Sequence, residues 1–177
     1  KANKFALSNN TPINYAYHLD ATLYASYLRE FSEKLGVNRV EGKIEQVTKD
    51  NQTGEINSLT LASGQVVDGD FFVDCTGFQG LLIEQALHTG FDDWSHWLPC
   101  DRAVAVQTKA VATPLPYTRS IAHKNGWQWK IPLQNRVGNG LVYCSKYCSD
   151  EEAVSQLTSG IDGDMITEPR VIKFNTG

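Results

Sequence analysis

Apolar positions first recur with a helical period. Leu23, Tyr24, Tyr27, Leu28, Phe31 and Leu35 form one stripe, with Asp20 placed to cap the start and Gly36 to stop the chain in a left-handed turn. This predicts a helix over residues 20–35. Residues 39–48 then predict a strand, the polar run 50–54 (Asp-Asn-Gln-Thr-Gly) a turn, and residues 56–61 the hairpin partner. Ser63-Gly64 turns the chain again into a short strand near Val66. Phe71-Phe72-Val73 is a continuous apolar run, which suits a strand buried on both faces, with Cys75 inside it. That strand gives way at residues 74–80 to a helix carrying Leu81, Leu82, Ile83, Ala86 and Leu87.

The second half has a different rhythm. Strands are predicted over 103–108, 117–123, 127–133 and 141–147, with turns at Asn125-Gly126 and at the Gly138-Asn139-Gly140 cluster, giving an antiparallel meander. A helix starts after Ser149, where Ser149 and Glu152 match the S-x-x-E capping box. The chain finishes just after a last apolar run, Val171-Ile172-Lys173-Phe174. The expected fold is therefore α/β with α+β character: an α/β region over 1–100 and an antiparallel sheet with a helix over 101–177, in one continuous body.

Composition narrows the function classes. A net charge of −4, with no basic run, argues against nucleic-acid and anionic-membrane partners. No apolar stretch is long enough to span a bilayer. Cys75, Cys100, Cys144 and Cys148 have no CxxC spacing and no nearby histidine couple, so reduced cytoplasmic thiols are expected and no metal site. His18, His88, His96 and His123 lie far apart and read as structural or surface residues. No Ser-His-Asp, HExxH, P-loop or G-x-G-x-x-G pattern occurs.

Two features carry chemistry. The turn at residues 74–80 ends an expected buried strand with a glycine-containing loop before a helix, where backbone amides can approach a ligand; spacing alone favours an ordinary strand-to-helix turn. Trp127 and Trp129 lie two apart on an expected strand, so both indoles leave one face, with Pro132 at the strand's end. They form either a rigid aromatic wall or plain core packing.

The segment Trp127-Gln128-Trp129-Lys130-Ile131-Pro132 resembles the W-x-W-x-I-P signature of flavin-dependent halogenases. Around it, Tyr17-His18-Leu19-Asp20-Ala21, residues 69–83 and Gly138-Asn139-Gly140-Leu141-Val142-Tyr143 resemble tryptophan-halogenase segments in the same order, so the resemblance covers nearly the whole chain. It implies part of a flavin-monooxygenase-like FAD-binding fold. It further implies that reduced FAD, supplied by a separate flavin reductase, reacts with O2 and chloride or bromide, and that hypohalous acid travels through a tunnel to a small-molecule indole. Cys75, Thr76 and Gly77 are then expected to approach the cofactor, together with Ile44. Thr76 stands where the monooxygenases carry an acidic residue. Trp127, Trp129, Ile131 and Pro132 are expected to form the wall beside flavin and tunnel.

By the same resemblance this stretch is the middle third of the enzyme, truncated at both ends. The phosphate-cradling glycines, catalytic lysine and catalytic glutamate fall outside it, so no catalytic residue is expected within the chain. Lys130 and Glu84 are not assigned those roles. Two other functions stay open: an aromatic monooxygenase on the same scaffold, and a non-catalytic flavin-binding module.

Overall fold

The computed structural model describes residues 16–177. Its element order is α1 (Ala21–Lys34), β1 (Ile44–Lys49), β2 (Ile56–Leu61), β3 (Val66–Asp68), β4 (Arg102–Lys109), β5 (Arg119–His123), β6 (Gly126–Pro132), β7 (Arg136–Tyr143), α2 (Asp150–Ser159) and β8 (Arg170–Lys173). A mixed α/β chain with antiparallel sheets results. It divides into two compact units, Leu28–Asp92 and Asp93–Gly177 with the chain up to Tyr27.

The helix α1 forms where its capping residue predicts. Asp20 Oδ1 accepts from the amides of Thr22 (3.1 Å) and Leu23 (3.3 Å), and Gly36 takes a φ of 95° just beyond the helix. Its apolar stripe is real but uncovered: no residue of α1 is buried, and Leu23 is 65% exposed.

In the unit Leu28–Asp92, β1, β2 and β3 make a three-stranded antiparallel sheet. The strand expected over 39–48 starts only at Ile44, which pairs with Leu61. Asp50 shapes the turn between β1 and β2 by accepting from the amides of Gln52 and Thr53. The expected buried strand at Phe71-Phe72-Val73 is absent. A strand buried on both faces needs neighbours to pair with and layers to cover it, and among the described residues none pairs with this run. Phe71 is 85% and Val73 72% exposed, and Cys75 is exposed rather than buried. The following helix is a 3-10 turn (Gly77–Gln79) and a π-helical segment (Leu81–Ala86), not an α-helix; only Leu82 is buried in it.

The other unit holds a five-stranded sheet in the order β5-β6-β7-β4-β8. Only β5, β6 and β7 follow one another as a meander; β4 pairs with β7 instead of β5, and β8 closes the far edge. The Gly138-Asn139-Gly140 cluster is not a turn but the middle of β7, which runs from Arg136 and ends at Tyr143. One face of the sheet carries the core: Val104, Val106, Leu141 and Tyr143 pack with Cys148 and with Ala153 and Leu157 of α2. The expected capping box starts that helix, Ser149 Oγ accepting from the Glu152 amide and Glu152 Oε2 from the Ser149 amide.

Candidate functional site

Strand register decides what each face of the five-stranded sheet presents. Paired residues share a face and neighbours in sequence alternate. Gln128 and Lys130 of β6 therefore lie with Leu141 and Asn139 on the face that α2 covers. Trp127, Trp129 and Ile131 take the other face, beside Ala122 and Ser120 of β5 and Val142, Gly140 and Gly138 of β7. Ala103 and Ala105 of β4 continue this row of small residues. The two indoles stand 5.9 Å apart between ring centres, tilted by 54°, and Trp127 is 44% exposed. The buried cluster that α2 covers lies on the opposite face.

The end of β6 is held by the segment before α1. His18 Nδ1 lies 2.9 Å from the Pro132 carbonyl and its Nε2 3.2 Å from Thr118 Oγ1. A carbonyl only accepts, so Nδ1 carries a proton and donates to it. Two residues on, Asp20 pairs with Arg136 at 3.3 Å at the start of β7; that guanidinium and the Leu23 and Thr22 amides hold the Asp20 carboxyl below its ordinary value. Tyr17-His18-Leu19-Asp20-Ala21 thus docks at the β6–β7 connection through two polar contacts.

Beneath the indoles, the covered face is rich in polar groups. Gln156 Nε2 donates to His123 Nδ1 (3.0 Å), which leaves His123 Nε2–H to donate to Gln128 Oε1 (3.1 Å). Gln128 Nε2 is buried without a hydrogen-bond partner among the described residues. Lys130 pairs with Asp162 and lowers that carboxyl's pKa, so its ammonium is a structural charge on the face away from the indoles. The Tyr143 hydroxyl, raised above its ordinary pKa by burial and then by its bond to Asp150 Oδ1, donates at 2.8 Å. A mainly apolar recess of about 140 Å³ opens beside Val111, Pro114, Leu115, Tyr117, Leu133 and Val137. It is smaller than the roughly 300 Å³ at which small-molecule sites begin.

In the unit Leu28–Asp92 the turn at 74–80 is organised by a residue that its own sequence spacing does not single out. Asp74 Oδ1 accepts from the Thr76 amide and hydroxyl, and Oδ2 from the amides of Leu82 (2.8 Å) and Ile83 (3.0 Å). The Ile83 amide, then the Thr76 hydroxyl and amide, hold this carboxyl far below the usual carboxylate range. Thr76 Oγ1 in turn accepts from the Leu81 amide at 2.9 Å. The first amides of the helical segment are consequently satisfied by protein groups. Gly77, at a φ of 64°, has open space where a side chain would start, and Cys75 beside it is exposed. Ile44 is half-buried at the start of β1. Glu84 accepts from the Gly90 amide and shapes the loop after the helix.

This architecture is shared with flavin-dependent halogenases. The structure superposes on Xcc4156 of Xanthomonas campestris with a TM-score of 0.91 at 49% identity, covering 98% of this chain and 35% of that one. It superposes on BrvH of Brevundimonas sp. BAL3 with a TM-score of 0.90 at 45% identity, covering 98% and 37%. A profile of the family described as tryptophan halogenase matches residues 1–177, and the chain belongs to that family. Tryptophan 7-halogenase RebH of Lentzea aerocolonigenes is 43% identical over 176 residues, 97% of this chain and 33% of the relative. The chain therefore spans about a third of the curated relatives it matches. Among the described residues, no helix is long and apolar enough to cross a membrane.

Proposed function

We propose that this chain is the part of a cytoplasmic flavin-dependent halogenase that separates flavin chemistry from an indole substrate. The carrying observation is the indole pair: in a chain of this family, Trp127 and Trp129 stand together on the sheet face opposite the buried cluster, Trp129 directly across from Gly140. Ile131 shares that face, so three residues of one strand line the wall, and Pro132 ends the strand where its carbonyl meets His18.

The residues of the 74–80 turn fit one part of FAD and not another. Gly77 and Cys75 leave backbone open to a flat ring, whereas Thr76 has its amide engaged by Asp74 and its hydroxyl by Asp74 and Leu81. The amides of Leu81, Leu82 and Ile83 are occupied, so this helix start does not suit the pyrophosphate. We assign Ile44, Cys75, Thr76 and Gly77 to the flavin ring and place the phosphate-binding glycines and the catalytic lysine and glutamate in the rest of the polypeptide. Reduced FAD, delivered by a separate reductase, supplies with O2 and chloride or bromide the oxidant that halogenates the indole.

The test is mass spectrometry of full-length protein given reduced FAD, O2, halide and a panel of indoles. Chlorinated or brominated product is expected; flavin oxidation with only hydroxylated product would establish the monooxygenase reading instead. The 177-residue chain by itself is expected to bind FAD only weakly, and micromolar quenching of flavin fluorescence by it would overturn the placement of the phosphate site.

A further inference from the structure

Gly140 lies directly opposite Trp129 in the β6–β7 ladder. A Cβ built on Gly140 would fall 1.9 Å from Cζ2, 2.2 Å from Cη2 and 2.4 Å from Cε2 of the Trp129 indole. Atoms cannot share that space, so the ring lies over the bare backbone of residue 140. Gly138, on the same strand and face, differs: its nearest neighbours would be the Ile131 carbonyl at 3.8 Å and the Ile131 Cβ at 4.0 Å, which is ordinary contact. A strand interior normally disfavours glycine, because it loses more entropy and packs nothing. At 138 nothing offsets that cost. At 140 the indole occupies the missing side chain's place and buries the residue.

We infer that Gly140 is a positioning residue for the indole wall: by lacking a side chain it lets Trp129 lie flat on β7 and so fixes its angle to Trp127. This rests on the reading of the pair as that wall, but its test does not depend on turnover. Two indoles 5.9 Å apart at 54° couple their strong ultraviolet transitions and give paired bands of opposite sign in circular dichroism. In the full-length protein, the difference spectrum of Trp127→Phe defines that couplet.

Gly140→Ala is expected to remove more than half of the couplet and Gly138→Ala to leave it unchanged. A Gly140→Ala spectrum equal to the parent's, or an equal loss in Gly138→Ala, overturns the inference. If Gly140→Ala does not fold, Trp129→Phe is added to it: the smaller ring vacates the contested space, so the double variant must recover folding. A double variant that fails as completely shows that the backbone, not the indole, demands glycine, and the inference falls. Halogenated product formed per flavin consumed should drop at least several-fold in Gly140→Ala. A lost couplet with no halogenation in the parent would sink the halogenase reading and leave the positioning role standing. An intact couplet in Gly140→Ala, with halogenated product from the parent, would do the reverse.

Discussion

Truncating Leu157 to alanine tests whether α2 closes the core of the five-stranded sheet. Leu157 is fully buried, in a cluster with Val104, Val106, Leu141, Tyr143, Cys148 and Ala153. Removing three carbons costs roughly 2.4 kcal/mol in transfer free energy, at about 0.8 kcal/mol for each buried carbon. A further cost depends on how far the surroundings can collapse. Here they cannot collapse far. The floor is β4 and β7, locked by eight consecutive register pairs from Arg102↔Tyr143 to Lys109↔Arg136. The helix above is pinned at its start by the capping box and by the bond from Tyr143 to Asp150. The cost should therefore reach about 3–4 kcal/mol, inside the range of about 2–5 kcal/mol seen for such truncations. Native-state hydrogen exchange in the full-length protein reads this locally: amides of β7 around Leu141 should exchange roughly 10²–10³-fold faster, each 1.4 kcal/mol being about tenfold. Ser155→Ala, on the exposed side of the same helix, should leave them unchanged. An acceleration below about fivefold in Leu157→Ala, or a matching one in Ser155→Ala, would refute the claim that α2 covers this core.

The remaining predictions concern caps and charge. Ser149→Ala should cost α2 about 1 kcal/mol and speed exchange of the Glu152 amide by roughly fivefold, since its acceptor is removed. Asp74→Asn should unprotect either the Thr76 amide or the Leu82 and Ile83 amides, because its one carbonyl oxygen can take the place of Oδ1 or of Oδ2 but not of both. The pH sign follows from the folded-state pKa lying below the ordinary 3.8: the stabilisation is fully present above that value and is lost only as pH falls through the lower folded one. Protection of the Leu82 and Ile83 amides, corrected for intrinsic rates, should thus be flat from neutral pH down to about pH 5 and vanish only under stronger acid. Loss of protection at pH 5–6 would show that another group controls the turn.

Local signals carried much of this architecture into the sequence. Asp20, Gly36, the 50–54 turn and the Ser149–Glu152 box each act within a few residues, and each appears where its spacing places it. The same-face placement of Trp127 and Trp129 follows from strand alternation alone. Non-local facts were less legible. An apolar run such as Phe71-Phe72-Val73 states a need for cover without saying what supplies it. The antiparallel rhythm of the second half gives strands but not their order, so the insertion of β4 beside β7 rather than β5 could not be read. Asp74 organises its turn through amides eight and nine residues away, a reach that no short motif encodes.

The reading of Gly138-Asn139-Gly140 as a turn failed for a reason that also locates the site. Two glycines around an asparagine are strong turn chemistry, since each residue tolerates left-handed backbone and none packs well in a sheet. That inference treats a residue's own side chain as the only thing that can cover its backbone. In β7 the cover comes from the neighbouring strand: Trp129 lies over Gly140, and Asn139 points to the other face, where its Nδ2 donates to Thr108 Oγ1 and the Val137 carbonyl. The signal was available as a correlation between two segments. Of the two aromatics it is Trp129 that faces a gap, at Gly140, while Trp127 pairs with Val142 and Gly138 with Ile131. Taken together, the tryptophans and glycines describe one surface, whereas each segment alone reads as core in one case and as a loop in the other. An indole that lies flat on a neighbour's backbone, as Trp129 does, cannot adjust when that backbone gains a side chain, so its angle to Trp127 is set as much by β7 as by β6.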